Sequence, residues 1–519
     1  MGRIDSLCEL SKQVSCQHGN SLLGPLWIVY RRFYAPPECK QKPQRTIVVR
    51  SENRRMFVDL PFSSVGELHD TLFRGETSVT AIVDRYLDRI DSLNSAVNAW
   101  ITLDADAALA QARVMDNSGW SLAEKPLLGV PVGIKDTTPT RDHRTTYGSP
   151  AFLDHQPGFD AIWVERLKAA GAVVLGKTST PEFAAGGHTE NPIIGPTRNP
   201  YDQSATVGGS SGGSAAAVSS GMCLLADGTD YGGSLRIPAA FCGVLGLRTT
   251  PGVVPAAPAE NLWEEVSVPG PIAGSVGDLR RMLQVMAGPD HRAPGASIRT
   301  LSPTARDTDA SKSARIAVYS GRGLIPIDPS IEEAQHRLVG ALADAGFHVT
   351  ECELDFDGIE EVIATLRPYQ KALSYGGLID KGVSIIHAGL AEDVEYGLGL
   401  KVDEVARAQR LRSRIYEQVS SIWESHDCLL MPTVPCLPFA IAEGPPMQIN
   451  RVQFSHYSQW MLLTQAISMM EWPALSLPAG VSGPGAVAPS MQLVGPGGSD
   501  FKLLEIAQAL ERVRDDAEL

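Results

Sequence analysis

The sequence has no long apolar run, no closely paired cysteines and no metal-binding histidine motif. A membrane-spanning helix needs roughly 20 consecutive apolar residues, and the best stretch here, residues 22–30, is short and is interrupted by Gly24 and Pro25. We therefore expect no membrane span. The eight cysteines include no CxxC pair, and a chain of 519 residues can bury a core without disulfides. We expect reduced thiols in a cytoplasmic protein.

Positive charge is also scarce. The chain has 45 Lys and Arg against 59 Asp and Glu, a formal net charge of -14. Proteins that bind nucleic acids present a basic face, so we expect no nucleic-acid partner. The eleven histidines are dispersed and form no HExxH motif, so we expect neither a metal site nor a cofactor.

Residues 1–55 differ from the rest of the chain because they are basic and lack steady periodicity. Regular patterns begin after Met56, where Ser64 and Glu67 fit a capping box that opens a helix. We expect residues 1–55 to be an atypical extension, either disordered or upstream of a natural start at Met56. A transit peptide is the alternative, which the acidic residues of this segment weaken.

Beyond residue 56, predicted helices alternate with predicted strands. Apolar runs predict buried strands at 127–134, 172–175, 223–226, 244–247, 315–319, 347–352, 428–431 and 491–494. Helices are predicted at 79–90, 161–170, 214–220, 331–345, 404–424 and 501–513. The Ser-, Thr- and Asp-rich stretch 301–312 predicts a surface loop. This alternation indicates an α/β fold around a largely buried sheet.

A loop with the sequence GGSSGGSAAAV occupies residues 208–218. It is no flexible linker, since an alanine-rich helix follows at once, and it lacks the lysine of a phosphate-binding P-loop. It matches GxSxG, which would make Ser210 the nucleophile of an α/β-hydrolase elbow. That elbow needs a strand directly before it, whereas residues 199–207 predict a turn.

A second glycine–serine element, GTDYGGSLRIP, occupies residues 228–238. It follows a predicted strand and opens a predicted helix with Pro238 in its first turn. The backbone N–H groups from Tyr231 to Ser234 could form an oxyanion hole beside a Ser234 nucleophile. A tight turn with a capping serine is the alternative.

A serine nucleophile needs a base, and no histidine lies near either loop in the sequence. A buried lysine is the alternative, because burial disfavours the charged form and lowers the pKa. Lys135 ends an apolar predicted strand and is one candidate, and Lys177 in Gly-Lys-Thr also follows a strand. A lysine at a strand end is commonly one that only extends its ammonium to solvent.

Three motifs, GVPVGIKD at 129–136 and the two serine loops, together resemble the amidase signature family. Supporting matches lie at 176–183, 195–200, 431–433, 473–478 and 492–495. The resemblance runs from about Leu60 to the C-terminus, and it implies a single large domain, within residues 56–519, whose central, mostly buried mixed sheet is covered by helices. It also implies an enzyme, an amidase that hydrolyses linear amide C–N bonds and uses no cofactor.

The resemblance assigns roles to three side chains. Ser234 would be the nucleophile, Ser210 the bridging serine and Lys135 the base, with a cis peptide bond joining Gly209 to Ser210. The N–H groups of Tyr231, Gly232, Gly233 and Ser234 would hold the oxyanion, and the glycines at 208, 212 and 213 would permit unusual backbone dihedrals. Asp230 and Arg236 would brace the loop.

The expected substrate is a small apolar or aryl amide, anilide or carbamate. The resemblance implies a pocket lined by the least regular segments, here 183–187 and 368–375. Our candidate substrate-binding residues are Phe183, Ala184, Ala185, Gly186, Tyr369 and Tyr375, with Trp460 as a further possibility. Two departures from the family, at 273–276 and 468–471, are expected to reshape the pocket or its rim. A homodimer is expected by analogy with the family.

Two alternatives stay open. The glutaminase-type subunit of tRNA-dependent amidotransferases shares the implied fold and triad. Its usual stretch SSNLARYDG is absent, and the comparable region, 369–376, has the sequence YQKALSYG, which favours a stand-alone amidase. An inactive binding scaffold is the other alternative, which the presence of all three triad residues disfavours.

Overall fold

The computed structural model describes residues 60–297, 313–456, 458–483 and 485–517. The helices are α1 (Val65–Phe73), α2 (Val79–Val97), α3 (Ala105–Asp116), α4 (Ile162–Ala169), α5 (Gly212–Ser219), α6 (Arg236–Phe241), α7 (Val276–Met286), α8 (Pro329–Asp344), α9 (Ile359–Asp380), α10 (Ala388–Gly399), α11 (Val402–Ser420), α12 (Leu462–Met469) and α13 (Asp500–Asp516). The strands are β1 (Trp100–Leu103), β2 (Pro131–Lys135), β3 (Val173–Thr178), β4 (Glu190–Asn191), β5 (Gly195–Pro196), β6 (Leu225–Asp230), β7 (Leu245–Arg248), β8 (Val268–Ala273), β9 (Arg315–Val318), β10 (His348–Glu351), β11 (Cys428–Pro432), β12 (Gln448–Ile449), β13 (Val452–Gln453), β14 (Ala474–Pro478) and β15 (Ser490–Val494).

Eleven strands form one mixed sheet, in the order β1-β3-β2-β6-β8-β7-β14-β15-β11-β9-β10. Strand β2 is parallel to β3 and β6, whereas β6, β8, β7, β14 and β15 pair antiparallel along the middle of the sheet. The inner strands β2, β3, β7, β8, β11, β14 and β15 are buried along their whole length. The edge strands β1 and β10 are partly exposed. The predicted α/β fold with a buried mixed sheet is confirmed.

Helices cover the sheet with their apolar faces. In α2, Val79, Ile82, Val83, Tyr86 and Ile90 are buried, as the helical spacing predicts. Burial of such a stripe, and not helix propensity alone, stabilises helices of this length.

The predicted capping box at the start of α1 is only half formed. The side chain of Ser64 accepts the N–H of Glu67, as expected of an N-cap serine. The Glu67 carboxylate accepts the N–H of Ser63, at 2.6 Å, instead of the N–H of the capping residue.

Three expectations differ from the structure or fall outside it. The strand predicted at 127–134 begins only at Pro131, because residues 127–130 turn before it. Residues 368–375, expected to be irregular, lie within α9, which tolerates Pro368 inside the helix. The extension 1–55 and the loop 301–312 lie outside the described residues.

No helix in residues 60–297, 313–456, 458–483 and 485–517 is long and apolar enough to cross a membrane.

Candidate active site

The site lies where the parallel strands β2 and β6 end at the same edge of the sheet. Lys135 is the last residue of β2, and the second serine loop begins directly after β6. On the neighbouring strand, Thr178 is the register partner of Lys135, and Lys177 is the partner of Ile134. Because successive side chains of a strand point to opposite faces, the two lysines lie on opposite faces of the sheet.

The Lys135 amine contacts three hydroxyl groups. Its Nζ lies 2.8 Å from Oγ of Ser210, 3.0 Å from Oγ of Ser211 and 2.9 Å from Oγ1 of Thr229. An ammonium can donate to all three groups, whereas a neutral amine has two N–H donors and a lone pair that accepts from the third. The same geometry therefore serves both protonation states.

Burial and, to a smaller extent, the positive charge of Lys371 lower the pKa of Lys135 to about 7. The carboxylates of Asp227 and Asp230 oppose this shift. A lysine with this pKa is neutral in a large fraction of molecules at pH 7, which is the form that a general base requires.

The contacts of Lys177 indicate that this residue has a structural role. Its Nζ donates to the carbonyl oxygen of Thr138 and to the hydroxyls of Thr140 and Thr145, each of these two at 3.0 Å. Burial lowers its pKa to about 8. Because these partners belong to neither serine loop, the structure favours Lys135 over Lys177 as the base.

The first serine loop packs closely against neighbouring residues. The peptide bond between Gly209 and Ser210 is cis, as the resemblance implies. Gly208 has φ +72°, where a side chain would also meet Ile237. Gly213 has no positive φ; it is needed because a Cβ there would lie 2.6 Å from the carbonyl oxygen of Ala99. Gly212 likewise has no positive φ. The expectation of unusual dihedrals therefore holds at Gly208 and is wrong at Gly212 and Gly213.

No strand of the structure precedes this loop directly, since residues 199–207 form turns and isolated bridges. The strand-to-helix elbow that GxSxG would require is therefore absent from this described segment. The carbonyl oxygen of Ser210 accepts the Thr180 hydroxyl at 3.0 Å. The N–H of Ser211 donates to the carbonyl oxygen of Ser234 at 3.1 Å, which brings the two serine loops together.

A buried carboxylate shapes the second serine loop. Asp230 accepts the N–H of Gly233 at 2.7 Å and that of Leu235 at 3.2 Å, and it accepts two N–H groups of Arg236, each at 3.0 Å. Burial by itself raises the pKa of Asp230, but the charge and hydrogen bonds of Arg236 outweigh it and hold that pKa far below its ordinary value. The bracing that the resemblance implies is thus present in the contacts.

The backbone N–H groups of this loop are not equivalent. That of Gly233 is engaged by Asp230, whereas those of Tyr231, Gly232 and Ser234 have no acceptor among the described residues. The Ser234 side chain is half-buried, in contrast to the buried Ser210. Three free donors beside an accessible hydroxyl are the elements of an oxyanion site.

The candidate substrate-binding residues separate into two groups. Phe183 and Ala185 are buried against α10, and Tyr375 packs beside them. The Phe183 and Tyr375 rings are 5.4 Å apart, and the Tyr375 hydroxyl donates to the Phe183 carbonyl oxygen. Residues 183–186 form an irregular turn in which Phe183, Ala184 and Gly186 have positive φ.

Two other aromatic candidates lie elsewhere. Tyr369 is 38% exposed on α9 and is absent from that cluster. Trp460 is fully buried and stacks on Phe241 in a separate core cluster. The structure therefore groups Phe183, Ala185 and Tyr375, and it leaves Tyr369 and Trp460 outside their cluster.

The two segments that depart from the family pattern, 273–276 and 468–471, lie in different parts of the structure. Ser468 accepts Nη2 of Arg236 at 2.6 Å, and Glu471, where many members have glycine, adopts φ +56° and binds Arg412. Ala273 pairs with Leu225, the residue of β6 farthest from the serine loop. The expectation that the change at 273–276 reaches the pocket is therefore wrong, because that segment lies at the opposite end of β6.

Sequence reasoning missed three groups at the site. Asp227 accepts the N–H of Lys135 at 2.6 Å, the Thr138 hydroxyl and the indole N–H of Trp163. Thr229 and Ser211 complete the contacts of the Lys135 amine. The signal was present, since Thr229 and Ser211 lie inside the two motifs and Asp227 directly precedes the second.

Comparisons with known proteins show which family the chain resembles in sequence and in fold. A family model described as Amidase matches residues 81–504. The glutamyl-tRNA(Gln) amidotransferase A chain of Streptococcus suis is 30% identical over 482 residues, which cover 87% of this chain and 96% of that protein. The crystal structure of a bacterial aryl acylamidase of the amidase signature enzymes matches with a TM-score of 0.79 at 24% identity, covering 87% of this chain and 96% of that one.

A second solved structure, of 6-aminohexanoate cyclic dimer hydrolase in complex with its substrate, matches with a TM-score of 0.77 at 27% identity. It covers 88% of this chain and 98% of that chain.

Proposed function

Since this chain belongs to the amidase signature family and is a hydrolase of amide C–N bonds, we propose that it cleaves a small amide through an acyl-enzyme on Ser234. The observation that carries this proposal is the contact between Lys135, whose pKa is lowered by burial to about 7, and Ser210. The N–H of the next residue, Ser211, binds the carbonyl oxygen of Ser234. These two contacts support a mechanism in which Lys135 acts through Ser210 on a nucleophile in the adjoining loop.

In the acylation step, the lone pair of Lys135 takes a proton from Ser210, which takes the proton of Ser234. The Ser234 oxygen bonds to the amide carbon, and the carbonyl π electrons move to its oxygen. The N–H groups of Tyr231, Gly232 and Ser234 hold this oxyanion. Gly233 contributes only if its N–H is shared with Asp230.

The C–N bond then breaks, and the leaving amine takes a proton through Ser210 from the Lys135 ammonium. Water attacks the ester carbon of the acyl-enzyme through the same relay, which releases a carboxylic acid and restores Ser234. Each proton taken by Lys135 is returned within the same half-reaction, so that no co-reactant other than water is needed.

The proposed substrate is an apolar or aryl amide, anilide or carbamate. Its support is the cluster of Phe183, Ala185 and Tyr375, since aromatic and apolar side chains line most small-molecule pockets. The likeness to an aryl acylamidase and to a cyclic amide hydrolase supports the same class of substrate. We expect the chain to act without partner subunits, as a homodimer by family analogy.

The test is release of amine by the purified chain from a panel of anilides, primary amides and carbamates. The proposal expects turnover of at least one anilide or amide by the wild type, and none by Ser234→Ala. Turnover that is equal in the two proteins would contradict it.

A glutaminase-type component of a tRNA-dependent amidotransferase is the second candidate, because the curated relative belongs to such an enzyme. The stretch 369–376 opposes it, since it lacks the SSNLARYDG sequence usual in that subunit and lies in α9 beside the site. L-glutamine hydrolysis that appears only with a co-purifying partner would favour this second candidate. An inactive scaffold would show neither activity.

A further inference from the structure

Lys371 places a positive charge between two walls of the proposed pocket. Its Nζ lies 5.7 Å from the centre of the Tyr231 ring and 5.3 Å from that of Tyr375. Tyr231 belongs to the proposed oxyanion loop, and Tyr375 packs on Phe183. Lys371 is therefore near both the carbonyl-binding groups and the wall that would contact the acyl chain.

The nearby carboxylates are engaged by other groups. Glu264 accepts the N–H of Val266 at 2.7 Å and that of Ser267 at 3.2 Å, and Asp393 forms an ion pair with Arg367 at 3.0 Å. Among the described residues, no carboxylate forms an ion pair or hydrogen bond with Lys371. Its close contacts are the faces of two aromatic rings, which attract a cation more weakly than a carboxylate does.

This ammonium stays charged under ordinary conditions. Burial lowers the pKa of Lys371 to about 8, which leaves most molecules protonated at pH 7. The carboxylates of Asp393 and Glu264 raise this pKa from a distance, but neither contacts the amine, so no direct ion pair offsets the loss of water on burial. A ligand that brings a carboxylate would supply this missing partner.

We propose that Lys371 binds a carboxylate of the substrate, so that the preferred substrates are amides that also carry an anionic group. This inference rests on the proposed amide hydrolysis at Ser234 and narrows its substrate class. An aryl group and a carboxylate can occupy the site together, since Phe183 and Tyr375 supply apolar contact while Lys371 supplies the charge. Lys371 is then a specificity-determining residue, and it takes no part in the bond-breaking steps.

The test uses two anilides of the same shape. Succinic acid mono-4-nitroanilide carries a carboxylate at the end of its acyl chain, and 4-methylpentanoic acid 4-nitroanilide carries a neutral isopropyl group in place of that carboxylate. The measured quantity is the ratio of kcat/KM for the charged substrate to kcat/KM for the neutral one. The variants are Lys371→Met, Lys371→Arg and, as the matched control, Lys381→Met, an exposed lysine ten residues further along the chain.

The proposal expects the wild type to prefer the charged anilide, and Lys371→Met to lower the ratio about 10- to 100-fold, mainly through KM. Lys371→Arg should restore most of the ratio, and Lys381→Met should keep it. A wild-type ratio of one or below, or a ratio that Lys371→Met leaves unchanged, overturns the proposal.

Failure of the proposed hydrolysis would look different, because neither anilide would then be cleaved by the wild type. Lys371 is tested independently by equilibrium binding of both anilides to Ser234→Ala and to Ser234→Ala/Lys371→Met. Tighter binding of the charged anilide that depends on Lys371 supports the carboxylate site. Equal binding of the two anilides to Ser234→Ala overturns it.

Discussion

The amine nitrogen of Lys135 lies 2.8 Å from the hydroxyl oxygen of Ser210, although 75 positions separate them in the chain. The contact is possible because Lys135 ends β2 and the Ser210 loop lies against the second serine loop, which follows the parallel strand β6. Burial keeps the lysine partly neutral near pH 7. The proposed chemistry depends on this pairing of a buried amine with a serine hydroxyl.

Replacement of Lys135 by Ala is expected to lower kcat/KM for an anilide by about 10²- to 10⁴-fold at pH 7, the usual contribution of a general base. The control is Lys401→Ala, an exposed lysine at the start of α11. Steady-state kinetics measure the effect, and circular dichroism checks the fold. Full activity in a folded Lys135→Ala protein would remove this lysine from the mechanism.

The pH dependence follows from the lowered pKa of Lys135. Below about pH 7 the amine is protonated and cannot accept a proton, so kcat/KM should rise with pH and level off above an apparent pKa of about 7. The charge of Lys371 helps to lower this pKa, so Lys371→Met should move the rising limb to higher pH. A profile that is flat from pH 5 to pH 9 would contradict the assignment.

Ser210 and Ser211 provide a matched pair, since both hydroxyls contact Lys135, at 2.8 and 3.0 Å. Only Ser210 is assigned to the relay. We expect Ser210→Ala to lose about 10²-fold or more of kcat/KM, and Ser211→Ala to lose much less, because Lys135 keeps Ser210 and Thr229. Equal losses in the two variants would mean that the hydroxyls serve only to position the amine.

Asp230→Asn tests whether the Asp230 carboxylate stabilises the loop that carries Ser234. The change leaves the buried Arg236 without its carboxylate, and we expect a loss of about 3–5 kcal/mol in the free energy of unfolding. Denaturant unfolding measures it, with Glu76→Gln at the exposed Arg74 pair as a control that should change little. A loss as small as that of the control would contradict the role of Asp230.

The lowered pKa of Asp230 also determines the direction in which stability changes with pH. The pKa of Asp230 is lowered in the folded protein, so its contribution is complete above about pH 4, the pKa of an unfolded aspartate. It is lost as the pH falls below that value. Asp230→Asn should therefore weaken the dependence of stability on pH in the acid range.

The motifs indicated Lys135, Ser210 and Ser234, the proposed base and the two proposed serines, because these residues lie in short segments with unusual glycine or serine content. The partners of Lys135 were harder to predict. Asp227 and Thr229 lie beside and within the second serine motif, but only the pairing of β2 with β6 shows that they contact Lys135. Lys371 could not be found from the sequence at all. It is one lysine on a long helix, and only the packing of α9 brings it to Tyr231 and Tyr375.

The most direct test of the proposed site is intact-mass spectrometry after treatment with a serine-directed fluorophosphonate. It compares the wild type with Ser234→Ala and Ser210→Ala, followed by peptide mapping. The proposed mechanism predicts one adduct on the wild type that maps to Ser234 and is absent from Ser234→Ala. An adduct that maps to Ser210, or that persists in Ser234→Ala, would contradict it.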